Sequence, residues 1–128
     1  MDLRTFIVED NDTIRHNLVA TLEELAHIKT IGWATTEQEA CEWLARRRDW
    51  QLIIVDLFLK QGSGMGVLNA CRDRACRQRV VVLSNYATAD MRARCMALGA
   101  DAVFDKSNEI DALLAYCLER PKQRSSSK

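Results

Sequence analysis

Four short apolar runs in this chain each lead into a residue able to do chemistry. Phe6, Ile7 and Val8 run straight into Glu9 and Asp10, with Asp12 close behind, and the run 52–55 ends at Asp56. The run 80–83 leads to Ser84 and Asn85, and 102–104 is followed by Lys106. Carboxylates set against the end of a buried strand are unfavourable unless something neutralises them. If Glu9, Asp10 and Asp56 converge, they repel one another unless a hard cation lies among them. Oxygen ligands in a shallow site open to water suit Mg2+. Lys106 and Ser84 beside it would hold an anion bearing oxygens, such as a phosphoryl group. Each residue also has a bland reading: Asp10 as a helix cap, Asp56 as the start of a loop, Ser84 bonded to backbone, Lys106 as a solvated charge. Their combination at four strand ends points to one site.

Convergence depends on the elements that carry them. The runs 3–8, 52–55, 80–83 and 102–104 read as strands, and the middle two are unbroken Ile/Val/Leu stretches. Such runs suit strands covered on both faces of a parallel sheet. A fifth strand, 29–34, contains Gly32, which fits an edge position. Helical patterns lie between the strands. Ile14, Leu18, Leu22 and Leu25 share one helical face after Asn11 or Asp12, both plausible caps. Thr36 with Glu39 reads as a capping box, with Ala40 and Leu44 facing inward. A third helix is expected over 63–77. A fourth, with a weak apolar stripe, runs over 89–98 to Gly99, a natural left-handed cap. The fifth carries Ile110, Leu113, Leu114, Cys117 and Leu118, and Pro121 ends it. The order βαβαβαβαβα implies right-handed crossovers with helices on both faces. In such sheets ligands gather at the carboxyl ends of the strands.

The whole chain narrows the function. Its 128 residues suffice for one core, read as a domain over 1–120 with a polar tail over 121–128. Eighteen basic and eighteen acidic residues cancel, which gives no reason to expect nucleic acid or a membrane as direct partner. No apolar run is long enough to span a bilayer and no signal-peptide pattern opens the chain, so the reading is cytoplasmic. Five cysteines, Cys41, Cys71, Cys76, Cys95 and Cys117, scatter over what read as helices, without the paired spacing of a zinc site or disulfide framework. Arg72, Arg74, Arg77 and Arg79 read as a solvated face complementing the end of the third helix, and Arg46 to Arg48 close the second in the same way. Trp33, Trp43 and Trp50 read as packing or surface anchors.

"FIVEDND", "LIIVDLFLKQGSGMGVL", "VVVLSNYA" and "GADAVFDKS" together resemble the receiver domain of bacterial response regulators over nearly the whole chain. The resemblance implies a flavodoxin-like doubly wound (βα)5 fold with strand order 2-1-3-4-5. It makes Asp56 the phosphoacceptor, charged by a histidine kinase or histidine phosphotransfer protein. Mg2+ would be held by Asp10, Asp56 and the Phe58 carbonyl, with Glu9 in support. Ser84 and Lys106 match the family's hydroxyl and lysine, with further donors near Asn85. The domain would be a signalling protein rather than an enzyme, switching the surface of its fourth helix, fifth strand and fifth helix and able to pair with a second copy when phosphorylated. No output module follows in the sequence, which fits a single-domain regulator.

Three positions depart from the family: Val103 stands where Tyr or Phe is usual, Ser107 follows the lysine in place of Pro, and Lys60 replaces another Pro. Phe58 and Tyr86, two residues beyond Asp56 and Ser84, would flank the phosphoryl group and restrict an attacking water. Two other functions compete. "DNDT" resembles the start of aspartate-nucleophile phosphatases, with Asp10 as nucleophile, but Ile14 stands where they need Thr or Val. A phosphate-independent interaction module of the same fold has no need of Glu9, Asp10, Asp56, Ser84 and Lys106 together.

Overall fold

The computed structural model describes residues 2–85 and 87–119. Ten elements alternate along them: β1 (Leu3–Val8), α1 (Asp12–Leu25), β2 (Ile28–Ala34), α2 (Glu37–Arg46), β3 (Leu52–Val55), α3 (Gly64–Ala70), β4 (Arg79–Ser84), α4 (Ala89–Ala97), β5 (Ala102–Asp105) and α5 (Ile110–Leu118). The strands pair in parallel in the order β2-β1-β3-β4-β5. The helix end expected at Pro121 and the tail over 121–128 lie outside the described residues.

Alternation along the strands divides the core in two. Ile7, Ile54, Val81 and Leu83 face Leu18 and Leu22 of α1 and Leu113 and Cys117 of α5. Phe6, Val8, Ile53, Val55, Val80 and Val82 pack against Ala40, Val67, Leu68 and Cys95, so α2, α3 and α4 cover the other face. Both faces of β3 are buried, which is why its sequence shows no polar alternation.

β2 takes the edge, as Gly32 implied, and its register against β1 slips there: Thr5 pairs with Thr30 but Phe6 with Gly32. The reason lies in α2. Trp43 stacks on Phe6 with ring centroids 3.9 Å apart, and a Cβ on Gly32 would come within 2.6 Å of the indole nitrogen. The strand gives up a side chain so that the helix can lay an indole flat on the sheet.

The helix starts follow local chemistry. Asn11, not Asp12, caps α1, its side chain accepting from the Ile14 N–H at 2.9 Å. Thr36 caps α2 by accepting from the Glu39 N–H at 3.1 Å. Glu39 returns to the Thr35 N–H at 2.8 Å rather than to Thr36, a box displaced by one residue. Gly99 closes α4 with φ 103°.

Five expectations need correction. α3 stops at Ala70, not 77, because its apolar pattern ends at Cys71 and side chains then take the carbonyls. Arg74 donates to Cys71 O, Gln78 O and Gly99 O and pairs with Asp101 at 3.0 Å. Arg74 is therefore a buttress rather than part of a solvated face, and Arg79 belongs to β4, bonded to the Tyr116 hydroxyl at 2.9 Å. In α1, Ile14 and Leu25 are 39% and 54% exposed while Arg15 is buried. The Arg15 guanidinium is drawn inward by Glu9 O at 3.0 Å and Asp12 at 2.6 Å, beneath the Trp33 ring at 4.0 Å. Leu118 is exposed at the end of α5. Cys76 lies in a turn, not on a helix.

The thiols follow burial. None of the five cysteines is in a disulfide, and Cys76 is exposed while Cys71, Cys95 and Cys117 are buried. Burial pushes the Cys71 thiol up to about 12. A thiol-reactive maleimide should therefore label Cys76 first in the folded chain and reach Cys71 only on unfolding. Equal native rates at Cys71 and Cys76, read by peptide mass, contradict this packing.

Candidate functional site

Parallel register brings the strand ends to one rim. Val8 lies beside Val55, Val55 beside Val82, and Ser84 beside Asp105. The ladder continues one step beyond the strands: Asp56 N donates to Val8 O at 3.0 Å and Lys106 N to Ser84 O at 2.9 Å. Glu9, Asp10, Asp56, Ser84 and Lys106 are thereby gathered by backbone pairing before any side-chain contact is considered.

Side chains then close the cluster. The Lys106 ammonium lies 2.6 Å from Glu9 Oε1 and 3.1 Å from Asp56 Oδ2. Its side chain is 11% exposed, so the bland reading of a solvated charge does not hold. Glu9 and Asp56 are buried, and Glu9 Oε2 also accepts from Asn11 N at 3.1 Å. Asp10 is half-buried and its Oδ2 accepts from Lys60 N at 2.6 Å. Asp56 Oδ1 accepts a long bond, 3.3 Å, from Phe58 N. Ser84 is fully buried at the end of β4, and Asn85 is exposed beside it. Tyr86 lies outside the described residues.

The electrostatics reflect crowded acids. Burial raises the Asp56 carboxyl above its ordinary value and the Glu9 charge reinforces this, while Lys106 and the Phe58 N–H oppose it. Burial alone would depress Lys106, but hydrogen bonds and charge from Glu9 and Asp56 outweigh it and raise the ammonium. One oxygen each from Glu9, Asp10 and Asp56 lie within 4.8 Å of one another. Hard oxygen donors, surplus negative charge and a partly open rim fit a divalent cation of the Mg2+ type.

A model of the response regulator receiver domain matches residues 5–117. The chain belongs to the response regulator receiver domain family. Among curated relatives of this receiver domain is the acid tolerance regulatory protein ActR of Rhizobium meliloti (strain 1021), 28% identical over 123 residues, 96% of this chain and 62% of the relative. The transcriptional regulatory protein DltR of Streptococcus agalactiae serotype III is 25% identical, covering 96% of this chain and 54% of the relative. The chain thus spans little more than half the length of these relatives. Because they are named as regulators, one of them transcriptional, the expectation of no tie to nucleic acid draws no support from them. Among solved structures, the Francisella response regulator 1452 receiver domain matches with TM-score 0.78 and 21% identity over 91% of this chain and 93% of its own. A response regulator of Burkholderia pseudomallei matches with TM-score 0.76 and 24% identity over 92% of this chain and 67% of its own. These likenesses establish the CheY-like fold. No helix among the described residues is long and apolar enough to cross a membrane.

Three residues at or near the rim of the receiver domain were not singled out from sequence. Arg15 holds the Glu9 carbonyl, as described above. Arg92 of α4 donates to Ala87 O and Val103 O, each at 2.9 Å, and pairs with Glu109 at 2.7 Å. It ties α4 to the strand position where the family usually has an aromatic ring. Val103 packs among the α4-side core, while Phe104 turns to the other face and meets Tyr116 edge-on at 5.7 Å. Glu37 bonds the loop after Asp56. Arg15 had a signal: a long cation within a turn of a carboxylate pair. The Glu109 partner of Arg92 and the Ser63 partner of Glu37 are remote in sequence.

Proposed function

We propose that the chain is a phosphorylatable signalling receiver in which Asp56 accepts a phosphoryl group from the phosphohistidine of a histidine kinase or phosphotransfer protein. The observation that carries this is the meeting of buried Asp56 with Glu9, Asp10 and Lys106 at one rim. An Asp56 carboxylate oxygen attacks phosphorus, the O–P bond forms, the P–N bond to the donor imidazole breaks, and an acyl phosphate results. Such transfers depend mainly on alignment and charge neutralisation. Asp10, Asp56 and the Phe58 carbonyl would hold Mg2+, with Glu9 in support, and the ion supplies positive charge against the phosphoryl oxygens. Lys106 already stands at Asp56 Oδ2 and presents a second cation to the incoming group. Ser84, at the end of β4, would turn toward the acyl phosphate and shift the following loop, biasing the surface of α4, β5 and α5. The Burkholderia structure is described as carrying a phosphorylated aspartic acid and a calcium ion, which supports a reading of phosphoryl transfer to an aspartate in this fold.

The test is incubation with Mg2+ and a small acyl-phosphate donor, followed by intact mass. One added phosphoryl group in wild type and none in Asp56→Asn is the expected result. Equal gain in both, or none in either, defeats the proposal.

Phe58, 51% exposed beside the acceptor, extends the reading to lifetime. The Phe58 ring would screen the acyl phosphate from water. Replacing it by a small polar residue should shorten the half-life several-fold; an unchanged decay rate rules the screen out.

A further inference from the structure

Glu37 opens α2, outside the acidic pocket, yet its contacts run to the loop that follows Asp56. Its Oε1 accepts from Ser63 N at 2.9 Å, and its own N–H donates to Gln61 O at 3.2 Å. Two glycines are shaped around it. A Cβ on Gly62 would run into the Glu37 Cβ, and one on Gly66 would run into the carboxylate itself. Gly62 also needs glycine for its φ of 87°. Gly66 lies within α3, where glycine is ordinarily unfavourable, and the space taken by the carboxylate accounts for it.

The near end of the same loop faces the pocket. Phe58 N bonds Asp56, Lys60 N bonds Asp10, and Gly64 N returns to Leu57 O at 2.9 Å. Residues 57–64 are therefore fastened at one end by the site's carboxylates and at the other by Glu37. A carboxylate accepting a backbone N–H makes a strong, directional fastening.

We infer that Glu37 is a positioning residue for the site: by fixing the far end of the 57–64 loop it sets where Phe58 and Lys60 stand beside Asp56 and Asp10. The inference rests on the reading of Asp56 as a phosphoacceptor assisted by Mg2+. The carboxylate acts through the loop, so its removal should weaken ion binding more than the chemistry that follows at saturation.

The experiment compares wild type with Glu37→Ala and Glu37→Gln. Three readouts are taken: amide hydrogen exchange of 57–66 without metal, Mg2+ affinity from amide shift titration, and phosphoryl uptake at limiting and saturating Mg2+. Glu37→Ala should exchange faster at Ser63 and bind Mg2+ about tenfold more weakly, the usual scale for a residue that orients metal ligands. Its uptake should fall at limiting Mg2+ and recover at saturation. Glu37→Gln, which keeps an acceptor oxygen without the charge, should fall between. Faster exchange with unchanged Mg2+ affinity reduces Glu37 to a loop staple and overturns the inference. A loss of uptake that saturating Mg2+ does not repair overturns it too. If Glu37→Ala fails to fold, Glu37→Gln decides. Wild type that binds Mg2+ but takes up no phosphoryl group defeats the phosphoacceptor reading instead, and exchange with Mg2+ affinity still decides the role of Glu37.

Discussion

Lys106→Met should lower the stability of the metal-free chain by about 3 kcal/mol near neutral pH, the scale for removing one partner of a buried ion cluster. The ammonium is bonded to both Glu9 and Asp56, whose side chains are 3% and 9% exposed. Without it, the carboxylates of Glu9, Asp10 and Asp56 face one another with no cation bridging two of them. Buried Asp56, beside the Glu9 charge and no longer opposed by Lys106, then holds its proton more tightly in the folded state than in the unfolded one, so the variant loses stability as pH rises through that interval. The deficit is therefore widest at neutral pH and narrows as pH falls below 3.8, where Asp56 is protonated in both states. Wild-type Lys106, raised above 10.5, contributes fully below that value and loses its contribution as pH rises through its folded value, which narrows the gap from the alkaline side. Millimolar Mg2+ should restore part of the loss by replacing the missing charge. Urea unfolding at two pH values, with and without Mg2+, measures all of this. A deficit indifferent to both pH and Mg2+ would mean that Lys106 acts by packing alone.

Asp56→Asn should do two opposite things. It abolishes phosphoryl uptake, since an amide cannot form the acyl phosphate. It also stabilises the metal-free chain by about 1 kcal/mol at neutral pH, as relief of a strained functional site commonly does. The carboxyl is raised above its ordinary 3.8 chiefly by burial, so the folded state holds the proton more tightly than the unfolded chain. Wild type therefore loses stability as pH climbs from 3.8 through the raised folded value, and the loss is complete above it. Asparagine carries no such penalty. Its advantage is full at neutral pH and disappears below 3.8. A variant less stable than wild type at neutral pH without metal would show that Asp56 is a net structural asset, contrary to the charge balance drawn here.

The parts of the fold that were legible in sequence are those written in local pattern. β3 and β4 are apolar runs with turn residues after them, and parallel order follows from their alternation with helices, so the rim is legible in the sequence. The overlong third helix shows the limit: polar residues after Cys71 carry no periodicity, and it is tertiary bonding of Arg74 and Gln78 that ends the helix. The first helix shows another limit: Ile14 and Leu25 were expected inside, while the unremarked Arg15 found a carbonyl, a carboxylate and an aromatic face there. The Glu9–Lys106 bond spans 97 positions, so Lys106 could be named from its place after a strand end while its particular partners stayed hidden. Glu37 was invisible for the same reason: its partners lie across two elements, and its clearest trace is the missing side chain of Gly66.

The most direct test of the central claim is to find which side chain carries the phosphoryl group. After exposure to an acyl-phosphate donor and Mg2+, borohydride reduction converts a phosphorylated aspartate to homoserine, which peptide mass mapping can locate. Homoserine at position 56, absent when Mg2+ is omitted, is the predicted result. Homoserine at position 10, or none at 56 in a protein that has gained phosphoryl mass, would contradict it.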